Sequence, residues 1–87
     1  MTVEVQVGHV THYYSHLGVA TVALESDMLK VGDMVHFKGH TTDVTEPVES
    51  IELEHHKIDE ADPGQNVGIK VNHHVREHDV VLKVLKE

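Results

Sequence analysis

The chain has 87 residues, of which 39% are hydrophobic, with one Phe, two Tyr, no Trp and no Cys, so one thin core must be built from Val, Ile and Leu without disulfides or thiolate metal sites. Fifteen acidic side chains against seven Lys and Arg give −8 with histidine neutral, and protonation of all ten histidines would reverse that sign. Such a surface opposes a broad nucleic-acid footprint, which needs cations to displace counterions from phosphates.

Along the chain the period is two almost everywhere. Val3, Val5 and Val7 alternate with Glu4, Gln6 and Gly8, and Val10 follows on the opposite parity, which predicts a first strand bulged near Gly8. "GVATVAL" (18 to 24) predicts a second strand, apolar on both faces. "ESDMLKVGD" reads as a turn, with Gly32 supplying a positive φ, and "MVHFKG" as the third strand.

The fourth strand is expected within "VTEPVESIELEHH", where Pro47 forces an edge position or a bulge. "KIDEADPG" reads as a loop or a single helical turn, with Pro63-Gly64 reversing the chain. "NVGIKV" is the fifth strand, "NHHVREHD" a turn and "VVLKVL" the sixth strand. Gly68 weakens an otherwise good strand, so either a neighbouring strand or a ligand approaches its backbone. The expected fold is all-β, a small six-stranded antiparallel closed β-barrel formed by residues 1–87 as a single domain. No apolar run approaches the roughly 18 residues of a membrane span, and "MTVEVQVG" lacks the regions of a signal peptide, so a cytoplasmic protein is expected.

Two motifs carry a resemblance. "LKVGD" precedes a strand, and Ile51 to Val71 holds a strand glutamate, an acidic loop and Gly64-Gln65-Asn66-Val67-Gly68. In this order they resemble the second domain of translational GTPases, the β-barrel of elongation factor Tu and its relatives, over roughly residues 5 to 85. The resemblance implies a stand-alone translation-factor-like binding module that contacts the ribosome, the aminoacyl end of tRNA or a protein partner. It places Glu52 beside the terminal adenosine, and Glu54 and Asn66 where main-chain groups meet the aminoacyl moiety. His55 and His56 stand where relatives carry Arg-Lys. A purely structural role for Glu52, Glu54 and Asn66 is the competing reading. The chain has no Gly-x-x-x-x-Gly-Lys-Ser/Thr loop, so no GTP binding is expected, nor any other cofactor.

Two further classes stay open. Similar barrels are appended to larger proteins, including collagenase-like peptidases, which implies a protein–protein adaptor or accessory barrel of a separately encoded enzyme. An exposed apolar rim near Tyr13, Tyr14 and Leu17 would favour it. Alternatively, His9, His12, His16, the pairs His55-His56 and His73-His74, and His78 would make a histidine-based metal binder if three converged. Strand geometry sends His9 and His12 to opposite faces unless the bulge realigns them, so solvated positions and a pH-responsive surface are the simpler readings and no metal ligand is assigned. Catalysis is not expected. Ser15, Ser26 and Ser50 lie in no nucleophile elbow, and Asp59, Glu60 and Asp62 share a loop where nothing separates their pKa values.

Overall fold

The computed structural model describes residues 2–86, which hold ten strands and no helix. In chain order these are β1 (Val3–Tyr14), β2 (Val19–Leu24), β3 (Leu29–Lys30), β4 (Met34–Lys38), β5 (Asp43–Pro47), β6 (Ile51–Leu53), β7 (His56–Ile58), β8 (Glu60–Ala61), β9 (Asn66–Lys70) and β10 (Val80–Lys86). Eight of them form one antiparallel sheet in the order β5-β4-β10-β1-β2-β9-β6-β7, and β3 pairs with β8 in a second, two-stranded sheet.

The all-β antiparallel expectation holds. The closed six-stranded barrel does not, and two physical reasons account for the difference. The expected fourth strand is broken twice. Pro47 ends β5, after which the Val48 amide still donates to the Asp33 carbonyl at 2.8 Å but the Val48 carbonyl accepts from the Gly32 amide, and the regular ladder stops. Glu54 and His55 then reverse the chain into β7, and the segment read as a loop contributes β7 and β8. Nor does a ladder join β5 to β7, so the sheet keeps two edges among the described residues. What draws β5 back towards the far half of the sheet is a side chain. Glu46, buried on β5, accepts the Asn72 amide and faces His73 just beyond β9.

Alternation explains where the core sits. Val22, Val35, Phe37, Val67 and Ile69 are buried at every second position of their strands, Phe37 being the largest of them, and Val81 of β10 joins them in the core. Full burial of each such side chain contributes roughly 1.5–3 kcal/mol. In β1 both Val7 and Val10 are buried despite opposite parity, because the register against β10 slips between Gln6 and Gly8. Glycine is required there, since a Cβ at residue 8 would collide with the Ala23 carbonyl oxygen. The Pro63-Gly64 turn closes as expected, with Gly64 at φ 94° and the Gln65 amide donating to the Asp62 carbonyl at 3.2 Å. No helix among the described residues is long and apolar enough to cross a membrane.

Candidate functional site: an open groove over β2, β9 and β6

The same alternation that buries Val67 and Ile69 turns Asn66, Gly68 and Lys70 to the outer face of β9. In register, Thr21 on β2, Gly68 on β9 and Glu52 on β6 form one row across three strands. With no side chain at its middle position, that row is the low point of the sheet surface. A groove of about 790 Å³ lies over it.

Gly68 behaves unlike Gly8. A Cβ there would meet Val19 Cγ1 at 3.4 Å and the Glu52 carbonyl oxygen at 4.0 Å, both ordinary contacts, and φ is not in the left-handed region. Packing therefore tolerates a side chain at residue 68, and what glycine preserves is the depth of the groove.

One wall is the β1–β2 turn. Tyr14 pairs with Val19, and the amides of Leu17 and Gly18 both donate to the Tyr14 carbonyl, which projects Leu17 outward. Leu17 is 67% exposed and Tyr14 45%, a pair of apolar side chains left uncovered at the rim. The His12 ring packs on Tyr14 with centroids 4.3 Å apart, which braces the phenol from below. Tyr13, named with them from the sequence, faces the other way, half-buried against the core and edge-on to His74.

The opposite wall is the β6–β7 hairpin. Leu53 pairs with His56, leaving a two-residue loop, and both its residues have positive φ, 50° at Glu54 and 68° at His55. This is the pattern of a type I′ turn, whose twist matches that of the strands but which favours Asn-Gly. Glu52 and Lys57 are cross-strand partners on this hairpin, and both reach the groove.

Glu52, Glu54 and Asn66 thus come together in one groove, all exposed. Sequence reasoning missed Lys57 and Lys70. Lys70 had a signal, since it shares the outward parity of Asn66 and Gly68. Lys57 had none, because its strand is set by a turn without glycine or asparagine.

The histidines disperse. His9 meets Glu25 at 3.1 Å and His12 meets Glu77 at 3.5 Å, so these two, three residues apart, have different partners. Among the described residues no three His, Cys, Asp or Glu side chains are arranged so that they could hold a metal ion.

No family model matches the chain. It is 40% identical over 85 residues to an uncharacterized protease of Methanocaldococcus jannaschii, a match covering 97% of this chain and 20% of that protein. It is 38% identical over 81 residues to a collagenase of Porphyromonas gingivalis, covering 92% of this chain and 20% of that one. Among solved structures, the C-terminal domain of a Geobacillus thermoleovorans protein assigned to the U32 peptidases superimposes with a TM-score of 0.83 at 30% identity, over 90% of both chains. The resemblance to translation factors is narrower. Elongation factor 1-alpha of Archaeoglobus fulgidus is 46% identical over 61 residues, 67% of this chain and 14% of the factor. The chain spans about a fifth of the length of the curated protease and collagenase relatives it matches.

Proposed function

The chain belongs to the family of U32 peptidase C-terminal domains, and on that premise we propose that it is a non-catalytic docking module serving a U32-type peptidase, encoded separately or in the same polypeptide. The observation that carries this reading is the groove, in which exposed Tyr14 and Leu17 flank a floor kept open by Gly68. Uncovered aromatic and aliphatic side chains beside exposed backbone are what a protein partner buries on docking. Around them Glu52, Glu54, Lys57 and Lys70 supply both signs of charge, which gives a polar rim able to set register. In this reading bond cleavage belongs to the remainder of the peptidase, and this module positions a protein against it.

A second reading has a specific observation behind it. Glu52, Glu54 and Asn66, the positions implied by the translation-factor resemblance, line this same groove, which would then accept the end of an aminoacyl-tRNA or a ribosomal surface. The net charge of −8 weighs against an RNA partner.

Calorimetric titration of the purified chain into a U32 peptidase cut before its own C-terminal domain separates the two. Saturable binding, weakened at least tenfold by Leu17→Asp, is the expected result. A flat titration, together with ribosome co-sedimentation that Glu52→Gln or Asn66→Ala abolishes, would establish the second reading instead.

A further inference from the structure

His36 lies at the centre of β4, opposite Thr45 on β5 and Leu82 on β10. Its side chain is 14% exposed, and both ring nitrogens face carboxylates. Nδ1 is 2.8 Å from Oε2 of Glu4 on β1, reached across β10, and Nε2 is 2.5 Å from Oδ1 of Asp43 on β5.

An ionised carboxylate only accepts hydrogen bonds, whereas a neutral imidazole has one N–H and one lone pair. Either neutral tautomer would therefore aim a lone pair at one of the two anions. The imidazolium, with a donor on each nitrogen, satisfies both contacts at once. The remaining charged and titratable groups of this surface lie one row or more away, and His9 on β1, in register with Val80, is engaged by Glu25 at 3.1 Å. On the face shared with His36, β10 supplies Val80, Leu82 and Val84, and β1 supplies Gln6 beside Glu4. From β4 itself Lys38 sits across from Asp43, and Lys86 lies beyond Val84 at the end of β10.

We propose that Glu4, His36 and Asp43 form a proton-operated clamp on the edge strand β5: the imidazolium draws in carboxylates from β1 and β5 together, and loss of its proton releases Asp43 and loosens β5. An edge strand is where such a device can act on architecture. Strand β5 has a ladder with β4 alone and carries Glu46, whose carboxylate holds the chain leaving β9.

The sign follows from the environment. Burial by itself lowers the pKa of His36, but the hydrogen bonds to Asp43 and Glu4, with their negative charges, outweigh it and leave the pKa raised above 6.5. A raised folded-state pKa gives a stabilisation fully present below 6.5 and lost as pH rises through the folded value. The clamp is thus closed in mild acid and opens on the alkaline side. One-proton linkage limits the change to about tenfold in the opening equilibrium per pH unit.

The test uses the whole chain labelled with ¹⁵N. Imidazole ¹⁵N shifts report whether both nitrogens of His36 carry protons and at what pH the proton leaves. Amide exchange at residues 43–46, divided by the intrinsic rate, reports the hold on β5. The expected result is a midpoint above 6.5, with β5 protection falling by up to about tenfold per pH unit as that proton leaves and β9 protection unchanged. Asp43→Asn should lower the midpoint and remove the pH-dependent part of β5 protection while sparing the ladder. His36→Gln should remove the same part outright. A midpoint at or below 6.5 in the parent protein overturns the proposal, as does β5 protection that stays flat while His36 titrates. A midpoint that Asp43→Asn leaves unmoved does the same.

Discussion

The Asn72 backbone amide donates to Oε1 of Glu46 at 2.8 Å, across 26 residues of chain, while the other carboxylate oxygen meets Nδ1 of His73 at 2.8 Å. Glu46 is 4% exposed, so its solvation has been exchanged for these two contacts. They fasten an edge strand to a segment with which it shares no ladder.

Glu46→Ala should therefore lower the free energy of unfolding by about 2 kcal/mol, because the Asn72 amide loses a charged acceptor. Glu46→Gln keeps an acceptor oxygen and should lose about 1 kcal/mol. Urea denaturation followed by far-ultraviolet dichroism measures both, and equal losses would show that the hydrogen bond to Asn72 carries nothing.

The two interior strand glycines should respond in opposite ways. Gly8→Ala drives a methyl into the Ala23 carbonyl oxygen and should cost about 3 kcal/mol or more. Gly68→Ala meets only ordinary contacts, and relief of glycine's entropy cost should leave the protein as stable or about 0.5–1 kcal/mol more so. Its methyl fills the groove floor, so partner affinity should fall while the unfolding midpoint does not. Normal binding by the Gly68→Ala variant would show that the partner never reaches the floor.

Strain is stored in the hairpin tip. Replacing Glu54-His55 by Asn-Gly puts residues suited to positive φ where the chain already adopts it, and should stabilise the protein by about 1 kcal/mol. Thermal unfolding is the readout. A fall in midpoint would mean that the Glu54 or His55 side chain makes contacts outweighing the backbone strain.

Leu17→Asp tests the rim. A side chain 67% exposed on a turn contributes little to folding, so stability should stay within about 0.5 kcal/mol of the parent. Affinity for the peptidase should nonetheless drop, since a charge would replace an apolar anchor.

Legibility in the sequence followed the range of the interactions. The strands at Met34–Lys38 and Asn66–Lys70 show in the sequence because each buries one face, Val19–Leu24 shows as an apolar run, and Gly8 shows because the valine parity changes there. The hairpin at Glu54-His55 was hidden, since neither residue announces a positive φ. The open edges were hidden too. Whether β5 and β7 meet depends on pairing between distant segments, and no local pattern encodes it. In the groove, Glu52, Glu54 and Asn66 came from family resemblance, whereas the part played by Gly68 needed the geometry of its neighbours.

The pairing of β1 with β10 sets Val3 opposite Lys86, while Tyr14 stands at the other end of β1 in a molecule 36 Å long. Val3 and Lys86 are thus neighbours at the end of β1 that lies away from Tyr14. Like a lamp on a bracket, the sheet gathers Val3 and Lys86 at one foot and holds the turn bearing Tyr14 and Leu17 at the far end of the same strand, free of both.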